Sequence, residues 1–160
     1  MPQILNENNF QSLNGILMLK ISKPAVVLFK IAGDQNCYTM EHIITQLSQK
    51  DTNIQWCVVE LKNNRDIVNI SKTTSTPITY IPYILFYING KPFSNYTGPN
   101  NIQSFSQYIN EMIKEINKPR PVKSVQSQAS VQKSDLDINL SIPKGSIPYN
   151  EPYLSYLKPN

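Results

Sequence analysis

The side chains with which this chain could do chemistry are few: two cysteines, a single histidine and one suggestively placed aspartate. Cys37 ends the short polar stretch Asp34-Gln35-Asn36-Cys37 and immediately precedes Met40, Ile43, Ile44 and Leu47, whose spacing predicts an amphipathic helix. A free thiol in the first turn of a helix can be a reactive one. Cys37 is therefore the one candidate nucleophile, and the alternative is a small apolar side chain tucked under the turn. Asp34 also has two readings, as a general base or as an N-cap carboxylate that accepts helix amides. Cys57 stands in the run IQWCVVEL beside Trp56 and Val58, which makes it an inert core residue of a strand.

His42 has no second histidine or suitably spaced carboxylate pair around it and is read as a surface residue of the helix. Two cysteines are too few for a zinc site or a disulfide framework, so neither metal nor cofactor is expected. The sequence has no glycine-rich phosphate loop and no Ser-His-Asp set. The net charge of +4 raises the question of an anionic partner. Its excess lies late in the chain, at Lys118, Arg120, Lys123, Lys133, Lys144 and Lys158 against Asp135, Asp137 and Glu151. Without a basic stripe interleaved with aromatics, nucleic-acid binding by the folded part is not expected. The opening MPQILNENNF lacks signal-peptide character, and the apolar stretch 16–29 is broken by Lys20, Lys23 and Pro24. The expectation is a soluble protein of a cytoplasmic or other reducing compartment, with no membrane span.

The elements that must position these residues can be read in order. Asn6 to Asn14 has the flanks of a short helix and leads into the apolar run 16–21. Ala25 to Ile31 is continuous and β-branched, as in a strand buried on both faces. The helix after Asp34 and the run IQWCVVEL complete a strand, helix, strand unit, which implies a right-handed crossover and parallel pairing. A second helix is expected over Arg65–Lys72. YILFYI runs into Asn89-Gly90 and then into Pro92 to Tyr96, a hairpin signal. Ile102, Phe105, Ile109, Met112, Ile113 and Ile116 make a closing helix.

This order, with VVLFKIAGDQNC near the front and TYIPYILFYINGKP later, resembles the thioredoxin family over roughly residues 4–117. The resemblance implies an α/β three-layer fold, a mixed central sheet flanked by helices, with a cis-proline loop at Ile81-Pro82. It implies that the Cys-x-x-Cys of the family falls on Asp34-Gln35-Asn36-Cys37, with Asp34 at the nucleophile's position and only the second, resolving cysteine kept as Cys37. A carboxylate cannot perform thiol exchange. The position before the motif is Gly33 in place of tryptophan. The family's buried acid falls on Leu28, and its lysine on the neighbouring strand falls on Val58. A redox-degenerate member is the reading that follows.

Three regions are expected: a domain over 1–117, a Pro, Ser and Gln-rich linker over 118–137, and an extended Pro/Tyr-rich interaction arm over 138–160. The arm sets Ile147, Tyr149, Tyr153, Leu154, Tyr156 and Leu157 among prolines, which reduce the ordering cost of an extended contact. The resemblance also implies a groove beside Tyr80, Ile81 and Pro82 whose backbone can pair with an extended peptide; the alternative is that Pro82, Tyr80 and Tyr83 specify the fold. These features point to a redox-inactive binding or structural protein with protein partners. The Asn, Ile and Lys richness suits an AT-rich genome such as that of a large DNA virus, which makes a minor virion component a candidate. The alternatives are a monothiol oxidoreductase using Cys37 and a chaperone-like binder of extended peptides.

Overall fold

The computed structural model describes residues 1–118 and the backbone of Ile147–Pro148. Five strands form the central sheet: β1 (Gln3–Leu5), β4 (Ala25–Lys30), β5 (Gln55–Glu60), β7 (Tyr83–Ile88) and β8 (Lys91–Asn95). Their order is β1-β5-β4-β7-β8, with β1, β5 and β4 parallel and β7 and β8 antiparallel to their neighbours. The helix α1 (Gln35–Ser48) makes the crossover between β4 and β5. Burial on both faces explains why the central strands read as unbroken apolar runs rather than as alternation.

Strand periodicity divides those runs between two cores. Val26, Leu28, Trp56, Val58, Ile84 and Phe86 point to one face, where α1 contributes Met40, Ile43 and Ile44 and α3 (Ile102–Asn117) contributes Phe105 and Ile109. Ala25, Val27, Phe29, Cys57, Val59, Leu85 and Tyr87 point to the other, under α2 (Arg65–Ser71) with Ile67 and Val68. Each fully buried large side chain here contributes about 1.5–3 kcal/mol of burial. The Tyr87 hydroxyl is not stranded, since it donates to the Leu17 carbonyl at 3.0 Å.

The segment before β4 departs from the expected helix over Asn6–Asn14. Only Glu7–Asn9 form a single 3₁₀ turn, closed by reciprocal side-chain caps of Asn6 and Asn9. The chain then makes β2 (Phe10–Leu13) and β3 (Ile16–Leu19), an antiparallel hairpin on the second face. Phe10 and Leu13 do not supply a helical stripe, whereas Asn14 and Gly15 both take positive φ, as a tight primed turn demands. Asn89 and Gly90 repeat that geometry between β7 and β8. Gly90 lies against β3: the Leu19 amide donates to its carbonyl at 2.9 Å, and a Cβ there would stand 2.6 Å from the Leu19 oxygen.

Outside both sheets lies β6 (Tyr80–Ile81), which pairs antiparallel with β9 (Ile147–Pro148). The second expected helix is in place as α2, and α3 ends at Asn117. The linker 118–137 lies, beyond its first residue, outside the described residues, as does the arm apart from the β9 backbone.

Candidate functional site

Strand β4 ends at Lys30, and a short loop carries the chain through Gly33, at φ 95°, into α1. Such a φ favours glycine. Asp34, in extended conformation, is the N-cap: its Oδ2 accepts the Cys37 amide at 2.9 Å and its carbonyl accepts the Tyr38 amide at 3.0 Å. Of the two readings of Asp34, the geometry realises the cap. Gln35 is exposed and Asn36 half-buried at the rim.

Cys37 is 1% exposed. Although it belongs to α1, it packs into the core on the opposite side of the sheet, with Phe29, Ile81 and Tyr83. Burial pushes its thiol far up, the nearby Asp34 carboxylate adds to the rise, and a backbone hydrogen bond at Ile31 and the charge of Lys30 oppose it. Cys57 is fully buried in β5, and burial pushes its thiol up to about 12. Both thiols are free.

Leu28 and Val58 are register partners across β4 and β5, closed in by α1 and α3, and offer no ionisable group. His42 is exposed on α1. Among the described residues no three His, Cys, Asp or Glu side chains converge on a point that could hold a metal ion.

Sequence reasoning passed over a charged cluster beside the motif. Lys30 and Glu60 are register partners at the ends of β4 and β5, and the Lys30 ammonium lies 2.8 Å from Glu41 of α1 and 3.9 Å from Glu60. Glu60 also accepts the Ala32 amide at 3.0 Å and the Lys62 amide at 3.1 Å. One half-buried carboxylate thus ties the loop before α1 to the end of β5. The sequence signal was a charge closing each of two apolar runs.

Tyr80 and Ile81, singled out from sequence as part of a peptide groove, are buried in the same core as Cys37. The Ile81–Pro82 peptide is cis. Tyr80 and Tyr83 meet edge to face with centroids 5.1 Å apart, and the Tyr80 hydroxyl accepts from Asn95 Nδ2 at 2.9 Å. Burial raises both phenols. Upstream, the buried Ser71 hydroxyl donates to the Val68 carbonyl at 2.7 Å and accepts the Ile78 amide at 3.0 Å, fixing the approach to β6 from the end of α2. Tyr80 faces Pro148 and Ile81 faces Ile147 across the two-residue ladder. Of the arm residues singled out from sequence, the structure thus brings the Ile147 backbone beside Ile81, while Tyr149, Tyr153, Leu154, Tyr156 and Leu157 lie outside the described residues.

No helix among the described residues is long and apolar enough to cross a membrane. No family model matches the chain. Two curated relatives are viral: Uncharacterized protein 020R of Invertebrate iridescent virus 3 is 27% identical over 139 residues, covering 85% of this chain and 78% of the relative. Uncharacterized protein 196R of Invertebrate iridescent virus 6 is 30% identical over 88 residues, covering 55% of this chain and 51% of the relative. Among solved structures, thioredoxin f2 of Chlamydomonas reinhardtii superposes with a TM-score of 0.54 at 17% identity, covering 75% of this chain and 100% of that one. The chain therefore has a thioredoxin-like α/β fold with a mixed sheet between helices, and the proteins it resembles in sequence are viral.

Proposed function

We propose that the chain is a non-enzymatic thioredoxin-fold binding module of a viral assembly, a minor structural component of the virion. Its domain serves as a rigid body and its arm, residues 138–160, engages protein partners beyond a linker over 118–137. One observation carries the reading: the residue at the nucleophile's position, Asp34, is held by the Cys37 amide, and the surviving thiol is buried beneath it. Thiol exchange requires a thiolate with access to a disulfide. A thiol that burial both hides and keeps protonated offers neither. Leu28 and Val58 add no proton relay, and the two relatives from iridescent viruses support a viral setting. The pairing of β6 with β9 favours extended peptide as the ligand class at the groove.

The test is insulin reduction in the presence of dithiothreitol, comparing the protein with Cys37→Ser. No turnover above background is expected from either; turnover that disappears in Cys37→Ser would overturn the reading. The arm is tested by deleting residues 138–160 and following incorporation into particles. A folded but unincorporated protein is expected, and normal incorporation would remove the arm from the proposal.

A further inference from the structure

β6 belongs neither to the five-stranded sheet nor to the β2–β3 hairpin, and among the described residues its ladder is with β9 alone. Without β9 that edge would present unpaired backbone groups, a template for another strand. We propose that the chain's own Ile147–Pro148 is a resident, displaceable occupant of the Tyr80–Ile81 edge, so that an extended Ile-Pro peptide binds there only by displacing it. This rests on the binding-module reading above and specifies its ligand.

The chemistry of the ladder sets the register. Antiparallel pairs alternate between those that exchange both backbone hydrogen bonds and those that exchange none. Pro148 has no N–H, so its pairing with Tyr80 belongs to the second kind, and Ile81 with Ile147 to the first. Proline at 148 also holds the preceding Ile147 in the extended region, so the occupant arrives partly pre-shaped as a strand. The arm carries this signature twice, as Ser-Ile-Pro at 141–143 and again at 146–148. Being tethered, the arm competes at high effective concentration with any peptide in solution, and a partner strand must outbid it.

The experiment uses the full chain and the fluorescein-labelled peptide KGSIPYN, the sequence of residues 144–150. Ile142→Pro and Ile147→Pro are combined, so that neither copy of the dipeptide has the N–H that the Ile81 carbonyl would accept, which breaks the pair. Both described cores close within residues 5–116, so the double variant is expected to fold. Fluorescence anisotropy is expected to give binding tighter by about ten-fold or more in the variant. Amide exchange should show Ile81 protected in the parent and unprotected in the variant. Equal binding to both would overturn self-occupancy and leave the groove; no binding to either would overturn the strand-addition site too. A parent dimer that becomes a monomer in the variant would show that the occupant comes from a second copy and overturn the tethered form. Insulin turnover is read separately, so loss of this inference and loss of the non-enzymatic reading are distinguishable.

Discussion

The Asp34 carboxylate accepts the backbone amide of Cys37 at 2.9 Å, across the first turn of the helix that would carry the redox motif. An acceptor in this position is engaged with the chain's own orphan donors and faces the positive helix end. Asp34→Ala is expected to lower stability by about 0.5–2 kcal/mol, and Asp34→Asn to retain most of it. Urea unfolding of the three proteins checks this; equal midpoints would show that the cap contributes nothing.

The two buried thiols give stability a dependence on alkaline pH. Burial raises Cys57 from 9.0 to about 12 and raises Cys37 as well. Above about pH 8.5, thiols of the unfolded chain lose protons that the folded chain retains, so stability falls as pH rises. The melting temperature of Cys57→Ala should fall less steeply with pH between about 9 and 11 than that of the parent. Parallel slopes would contradict the burial of this thiol.

Ser71 links α2 to the approach to β6, through its hydrogen bond with the Ile78 amide. Ser71→Ala leaves that buried N–H unsatisfied and is expected to cost about 1–3 kcal/mol. Exchange of the Ile78 amide should rise along with the loss of stability. If Ile78 stays as protected as its neighbours, the hydroxyl is not what holds this approach in place.

Gly90→Ala combines a left-handed φ with a Cβ 2.6 Å from the Leu19 carbonyl oxygen. A loss of about 1–3 kcal/mol is expected, together with loosening of β3 where it meets the β7–β8 turn. Thermal unfolding measures the first and Leu19 amide exchange the second. Gly15→Ala has the same φ sign but open space around its Cβ, and should cost less.

The central sheet was legible because Ala25–Lys30, Gln55–Glu60 and Tyr83–Ile88 are buried on both faces and so read as continuous apolar segments. Asn89-Gly90 announced its hairpin. Asn14-Gly15 carried the same signal, but the asparagines from Asn6 onward mimic helix flanks, and their capping closes only one turn. Asp34 was readable as a cap from its place before the helical spacing. The Lys30–Glu60–Glu41 cluster was not, because it depends on the register of two strands distant in sequence. The pairing of Ile81 with Ile147 is likewise a tertiary fact that composition marks only as an adhesive arm.

The ends of the main sheet bear on how the protein behaves when crowded. β8, at one end, contains Pro92 and pairs with β7 through a register shift between Phe86 and Tyr87; β1, at the other, is three residues long. Prolines, irregularities and short length each deny a neighbour the straight row of amides that fibre growth uses. Copies that meet at high concentration are thereby discouraged from polymerising through their sheets, even with Ile4 exposed on β1.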